Sequence, residues 1–159
     1  MIRFATRKGG TNIDSKKLSH TVWECKYHIV WIPKRRRKVI YGKLRKEIGQ
    51  IIRKLCEYKG IAIVEGNAGM DHIHLCLAIP PKYSVASIVG YLKGKSTMLV
   101  CERYGKRKRN FRGHSFWARG YYVSTVGRDE EQVRQYMRNQ ETNETIEEKY
   151  EPPEDNNLF

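Results

Sequence analysis

Two histidines separated by one residue, His72 and His74, carry the chemistry that is easiest to read from this sequence. In a β-strand alternate residues share a face, so both imidazoles are predicted on one side and Ile73 on the other, toward a core. Their Cα atoms would stand about 7 Å apart, which suits convergence on one metal ion. The plainer interpretation is a pair of surface histidines on a solvated sheet face. Cys76 is predicted on the same face, so a thiol ligand to a softer metal stays open.

A second pair, Tyr136 and Gln140, lies late in the chain at a spacing that places both on one face of a helix. Taken alone, the tyrosine is more simply a packing anchor. Together with His72 and His74, however, the Gln140 carboxamide oxygen would complete a three-ligand site for Mg²⁺ or Mn²⁺ with open positions. A tyrosine one turn away would then lie beside a bound phosphate, where a divalent ion helps a nucleophile whose ordinary pKa is near 10. The product would be a phosphotyrosine link to a DNA strand.

The charge distribution favours a polyanionic partner. The chain has 31 Lys and Arg against 17 Asp and Glu, a net charge of +14. Residues 141–159 contribute −6, which leaves +20 on residues 1–140. Nucleic acid is the leading partner and an anionic membrane surface the lesser one. No apolar run approaches the roughly 18 residues of a membrane span, and the N-terminus lacks signal-peptide features. We therefore expect a cytoplasmic protein with free thiols, and nucleic acid rather than a membrane as its partner.

Two basic loops are the natural contacts for phosphate groups. They contain almost no acidic residues and comprise Lys34, Arg35, Arg36, Arg37 and Lys38 in the first loop and Lys106, Arg107, Lys108, Arg109 and Arg112 in the second. If DNA neutralised six to eight charges, the log–log slope of affinity against salt would be about −5 to −7. Four aromatic residues near the loops would either stack on unpaired bases or pack in the core: Trp31, Phe111, Phe116 and Trp117.

Elements of alternating type must position these residues. Residues 22–32 have a strand pattern, and apolar spacings of three and four predict a helix from Leu44 to Tyr58, ended by Gly60. Strands are predicted at 61–65 and 71–79, a helix from Ser84 as N-cap to about Tyr104, a strand at 116–125, and a last helix after Gly127. This β-α-β-β-α-β order predicts an α+β, ferredoxin-like (split βαβ, RRM-like) sandwich, with an antiparallel sheet, two helices on one face and a C-terminal catalytic helix.

The order of these blocks resembles that of a known enzyme family. The His72–His74 strand, followed by Tyr136 and Gln140 in a late helix, is similar to the single-tyrosine HUH transposases of small bacterial insertion sequences that move as single-stranded DNA. The resemblance covers about residues 20–140. It divides the chain into a flexible basic arm at 1–20, one transposase domain at 21–140 and an acidic tail at 141–159.

The resemblance implies a role for each matching residue. His72 and His74 correspond to the paired metal ligands, Gln140 to the third ligand, and Tyr136 to the nucleophile that holds the 5′ phosphate while a 3′ hydroxyl leaves. Family members bind hairpins at the ends of their elements, so the resemblance also implies a bacterial or archaeal protein associated with the nucleoid. They are homodimers with a joined sheet, in which the tyrosine helix of one chain completes the site of the other. Gly127 is our hypothesis for the hinge that lets this helix change sites.

Two other functions remain open at this point. A non-catalytic RRM-like module would bind RNA on an aromatic sheet face, but the signature strand of that class is absent. A domesticated relative would nick chromosomal repeat hairpins without moving an element, and the sequence does not separate it from an active transposase.

Overall fold

The computed structural model describes residues 2–3, 16–18, 21–104, 115–127 and 135. Contacts divide the chain into two compact units, Met1–Thr125 and Val126–Phe159. The strands and α-helices that the structure describes are, in chain order, β1 (Ile2–Arg3), β2 (Lys16–Leu18), β3 (Thr21–Trp23), β4 (Lys26–Trp31), α1 (Gly42–Tyr58), β5 (Ala62–Ala68), β6 (Ile73–Ala78), α2 (Val85–Tyr104) and β7 (Tyr122–Val126).

The main sheet has the strand order β1-β5-β6-β4-β7. Helix α1 connects β4 to β5 with β6 between them, and α2 connects β6 to β7 with β4 between them. Strand β6 is antiparallel to both of its neighbours. Two interlocked split βαβ units of this kind form the ferredoxin-like α+β sandwich that the sequence predicts.

The core lies between one sheet face and the two helices. Helix α1 contributes Ile48 and Ile52, and α2 contributes Leu92, to the same fully buried cluster as Leu75 and Leu77 of β6. Both predicted caps are present. Gly60 follows α1 with φ of 66°, and the Ser84 hydroxyl accepts a hydrogen bond from the Ser87 N–H at 3.1 Å.

The strand predicted at 116–125 is interrupted. Trp117 forms an isolated bridge with Pro33, and β7 begins only at Tyr122. Gly120 lies between them with φ of 77°, a left-handed conformation that ends an extended run. The Lys93 ammonium holds this bend by donating to the carbonyls of Ala118 and Gly120 at 2.7 and 2.6 Å.

Other boundaries also differ from the sequence-based prediction. Strand β5 continues through Ala68, beyond the predicted end at residue 65, because its second half pairs with β6 and with β1. The N-terminal arm contains two short strands, and β2 pairs with β3 in a separate two-stranded sheet. In the part of the chain described, no helix is long and apolar enough to span a membrane.

Candidate active site

The histidine pair lies at the start of β6, on the sheet face opposite the helices. Ile73 and Leu75 are fully buried in the core, as the alternation predicts. His72 precedes the strand and His74 lies within it, yet their rings come together, with centroids 4.7 Å apart and planes inclined by 55°. The structure therefore places the two imidazoles side by side.

A carboxylate fixes the orientation of the first imidazole. Nδ1 of His72 lies 2.7 Å from Oδ1 of Asp71, and Nε of Arg36 donates to Oδ2 of the same carboxylate at 2.9 Å. Burial would raise the pKa of Asp71, but the hydrogen bonds from His72 and Arg36 outweigh it and hold that pKa below its usual value. An ionised carboxylate only accepts hydrogen bonds, so Nδ1 of His72 is the donor, and in the neutral tautomer this leaves the lone pair on Nε2.

Gly69 provides the space that the His72 ring occupies. A Cβ atom at this position would overlap Cε1 of the ring and lie 2.8 Å from each ring nitrogen. Ordinary van der Waals contact begins at 3.4 Å. The His72 ring would therefore have to shift to admit a side chain at position 69.

The second imidazole is held in its neutral form. Burial lowers the pKa of His74 to about 4, and the neighbouring imidazoles of His72 and His28 act in the same direction. His28 on β4 packs edge-on against His74, with ring centroids 5.2 Å apart, and burial lowers its pKa as well. At neutral pH His74 therefore presents an unprotonated nitrogen, the form that binds a metal ion.

The lining of this face includes buried polar atoms without partners. Within the described part of the chain, Nε2 of His28 and Oδ1 of Asn67 are buried and have no hydrogen-bond partner. Asn67 lies directly across from His74 in the register of β5 and β6. A buried carbonyl oxygen and a buried ring nitrogen beside the neutral imidazole of His74 suit a polar or cationic guest rather than an apolar one.

The residues present fit a metal ion only in part. His72 and His74 supply two oriented imidazoles, which suit Mg²⁺ or Mn²⁺ if oxygen ligands complete the site. Among the residues that the structure describes, no group of three or more His, Cys, Asp or Glu side chains is placed to hold a metal. Cys76 therefore does not complete a site with the two histidines. Gln140, the predicted third ligand, lies outside the described residues.

The first basic loop adjoins the histidine pair. Lys34–Arg36 form a short 3₁₀ turn, and all five residues from Lys34 to Lys38 are exposed. Arg35 and Arg36 have φ of 63° and 48°. This left-handed conformation costs a residue with a side chain about 1–2 kcal/mol. The second loop, with Lys106, Arg107, Lys108, Arg109 and Arg112, lies outside the described residues, so its place near the site stays a prediction.

Three of the four aromatic residues considered for base stacking are core residues. Trp31, Phe116 and Trp117 are buried, and Trp117 packs edge-on against both of the others. Its indole Nε1 donates to the hydroxyl of Ser96, a fully buried residue, at 2.8 Å. These rings cannot stack on bases while the fold is intact, and Phe111 lies outside the described residues.

The predicted catalytic helix is described at one residue. Gln135 is helical, whereas Tyr136 and Gln140 lie outside the described residues. Gly127 follows β7, close to the point where the chain divides into its two compact units. A Cβ atom at Gly127 would meet nothing within 4 Å. The roles assigned to Tyr136, Gln140 and Gly127 stay predictions.

Sequence reasoning missed three residues of this site. His28 alternates with the core residues Tyr27 and Ile29, a pattern that already points it to the open face, but only the strand order brings it beside His74. Asp71 directly precedes the histidine pair in the sequence, but nothing in the sequence indicated that it contacts the Arg36 side chain. Gly69 lies between the strands predicted at 61–65 and 71–79, and nothing in the sequence indicated its contact with the His72 ring.

Comparison with known proteins gives consistent matches. The chain matches the family model described as "Transposase IS200 like" over residues 21–140. It is 50% identical over 127 residues to the transposase for insertion sequence element IS200 of Salmonella typhimurium LT2, covering 80% of this chain and 84% of that protein. It is 26% identical over 133 residues to the ISDra2 transposase TnpA of Deinococcus radiodurans, covering 83% and 95% respectively.

Two solved structures resemble the fold. A crystal structure of a transposase from Deinococcus radiodurans R1 superposes with a TM-score of 0.64 at 28% identity, covering 79% of this chain and 97% of that chain. A tyrosine transposase associated with REP sequences and bound to a REP hairpin superposes with a TM-score of 0.53 over 76% of this chain and 67% of that one. At 11% identity, the second comparison bears on the fold alone.

Proposed function

The chain belongs to the family of IS200-like transposases, and on this premise we propose that it cleaves and rejoins single-stranded DNA through a covalent tyrosine intermediate. One observation carries the proposal within the described residues. Two imidazoles lie side by side on the sheet face opposite the helices, the first oriented by a carboxylate and the second neutral.

In the proposed reaction the phenolic oxygen of Tyr136 attacks the phosphorus of the scissile phosphodiester. A P–O bond forms to Tyr136 while the phenol gives its proton to solvent. The bond to the 3′ oxygen breaks, and that oxygen takes a proton from solvent and leaves as a 3′ hydroxyl. A 3′ hydroxyl attacks the phosphotyrosine in the reverse step and joins the strands. His72, His74 and Gln140 would hold Mg²⁺ or Mn²⁺, which supplies charge compensation at the phosphate when bound.

The DNA substrate is proposed to be a single strand with hairpins at the ends of the element. The exposed loop Lys34–Lys38 adjoins the histidines, and residues 106–112 would add a second basic loop. Support for a hairpin comes from the REP-associated tyrosine transposase of similar fold, whose structure contains a bound REP hairpin. Basic side chains of this kind bind the phosphate backbone and set register, while sequence is read by contacts to bases.

We also propose a homodimer in which the two active sites are shared between chains. Strand β7 is an edge of the described sheet, and its Tyr122 and Val123 are 60% and 40% exposed. An exposed edge with apolar side chains is a template for pairing with a second copy. Gly127, directly after that edge, would act as the hinge that carries the Tyr136 helix into the partner's site.

The alternative of an RRM-like binding module has less support. Such modules stack bases on aromatic residues of the central strands. Here His28 and His74 occupy the open face of the two central strands, and Trp31 lies on the core side. A domesticated nickase would share the same chemistry and differ only in its substrate.

The test is a denaturing gel with the full-length protein and labelled single-stranded DNA from the flanks of its gene, in Mg²⁺, Mn²⁺ or EDTA. We expect a metal-dependent covalent species that Tyr136→Phe abolishes and the matched variant Tyr58→Phe retains, since Tyr58 is 82% exposed on the far end of α1. His72→Ala should lose cleavage and keep much of the hairpin affinity. An adduct that survives Tyr136→Phe would refute the assigned nucleophile.

Mixing the two inactive variants tests the shared site. A heterodimer of Tyr136→Phe and His72→Ala chains contains one composite site with both intact residues if the tyrosine acts across the dimer. Recovered cleavage in the mixture supports sharing. Failure to recover, with dimers confirmed by sedimentation, places each tyrosine in the site of its own chain.

A further inference from the structure

We propose that Arg36 is a positioning residue that orients His72 through Asp71 while its terminal amino groups bind a DNA phosphate, so that one side chain links the DNA strand to the histidine pair. The inference rests on the proposed function. It gives Arg36 a specific role, whereas the proposed function treats it only as one of the ten basic residues of the two loops.

The contacts form a continuous chain from solvent to the buried ring. Arg36 donates through Nε to Oδ2 of Asp71 at 2.9 Å, and Oδ1 of Asp71 accepts from Nδ1 of His72 at 2.7 Å. Exposure of the side chains falls along this path, from 72% at Arg36 to 19% at Asp71 and 12% at His72. In the described contacts Arg36 uses Nε alone, which leaves its two terminal amino groups to solvent in the geometry that grips a phosphate.

The backbone holds Arg36 in this position at some cost. The N–H of Arg36 donates to the carbonyl of Pro33 at 2.9 Å, and the neighbouring Lys34 N–H donates to the carbonyl of Phe116. Beyond the loop, the Ile40 N–H donates to the carbonyl of Met70, next to Asp71. Left-handed residues persist where the surroundings over-determine them, and they concentrate at functional sites. The loop is therefore fixed against the same segment that carries the histidine pair.

Arg35 provides a matched control within the same turn. It has the same charge and the same left-handed conformation, with φ of 63°, and its side chain is exposed. Within the described residues Arg35 makes no hydrogen bond or ion pair through its side chain. If loop charge were all that mattered, the two arginines would be equivalent. If Arg36 positions His72, only Arg36 will affect the binding of a metal ion in the absence of DNA.

The experiment titrates Mn²⁺ alone into metal-free, full-length protein by calorimetry, with DNA affinity measured separately against salt. We expect Arg36→Ala to weaken Mn²⁺ binding on the order of tenfold, as loss of an outer-shell partner does. Arg35→Ala should leave Mn²⁺ binding within about twofold, and each variant should reduce the salt slope of DNA binding by about 1. Asp71→Asn, which keeps the side-chain shape, should weaken Mn²⁺ binding at least as much and leave the salt slope unchanged.

A second measurement separates failure of this inference from failure of the proposed function. The Nδ1–H proton of His72 should give a protected NMR signal in the metal-free wild type and in Arg35→Ala, and it should broaden or vanish in Arg36→Ala. If the wild type binds no Mn²⁺, the proposed metal site is refuted, while the NMR signal still decides whether Arg36 positions the ring. Equal Mn²⁺ affinity and an unchanged Nδ1–H signal in Arg36→Ala would overturn the inference.

Discussion

The substitution Gly69→Ala should disable the histidine pair without touching either histidine. The added methyl carbon would lie 2.8 Å from both ring nitrogens of His72, whereas ordinary contact begins at 3.4 Å. The ring must therefore move by at least roughly 0.6 Å, about three times the 0.2 Å tolerance of a metal–ligand distance. Such a shift also disturbs the 2.7 Å hydrogen bond between Nδ1 of His72 and Asp71.

The assay is Mn²⁺ titration of the metal-free protein, with thermal unfolding measured alongside. We expect Gly69→Ala to weaken Mn²⁺ binding by about 10- to 100-fold, the effect of losing an oriented ligand shell. Overpacking of this kind should lower the free energy of unfolding by about 1–3 kcal/mol. The loss of affinity should therefore be seen well below the melting temperature, in folded protein.

Two other glycines provide the control. Gly90 and Gly94 lie within α2, and a Cβ atom at either would meet nothing within 4 Å. Changing either to alanine should raise the free energy of unfolding by up to about 1 kcal/mol, because alanine is the better helix former. Neither should alter Mn²⁺ binding. If Gly69→Ala binds Mn²⁺ as tightly as these controls, the steric argument for the His72 pocket is wrong.

Three further predictions concern the buried groups. Ser96→Ala should lower the free energy of unfolding by about 1–3 kcal/mol, because it leaves the buried Trp117 N–H unpaired, and Trp117→Phe in the same chain should recover part of that loss in denaturant unfolding. The pKa of His74 is about 4 in the folded chain against 6.5 ordinarily, so the unfolded state binds more protons between these values. Stability of the metal-free protein should therefore fall as pH drops from 6.5 to 4, by an amount on the order of 1–3 kcal/mol, and thermal melts of His74→Gln should show a flatter profile. Burial raises the pKa of the Cys56 thiol to about 12, so alkylation of the native protein at pH 8 should modify the half-buried Cys25 and spare Cys56. Mass spectrometry of digests would report the modified residues, and rapid labelling of Cys56 would contradict its burial.

Local pattern was sufficient for much of the fold. The bounds of α2 follow from a serine cap and from apolar spacing, both of which act within a few residues along the chain. The side of β6 that faces the core follows from strict alternation, which leaves the side chain of His74 on the open face. The fold class followed because the order of helices and strands allows few ways to bury both helices on one sheet.

Long-range packing decided the rest. The predicted strand at 116–125 breaks because Trp117 is drawn into the core by Trp31 and Ser96, contacts that no local pattern contains. Gly120 lies inside that run, but a single glycine did not predict the break. The bend at Gly120 is held by Lys93, a residue of a distant segment.

The same division applies to the active site. Residue types and spacing alone were enough to single out His72 and His74 as candidate ligands, and they also singled out Tyr136 and Gln140, which stay predictions. Only the tertiary structure brought Arg36 to Asp71, 35 positions away, and His28 to His74 through the pairing of β4 with β6. The sequence thus determined which groups are available for chemistry, because that is a property of each residue and its near neighbours. Their orientation and protonation depend on burial and on contacts between distant segments, which exist only after the chain has folded.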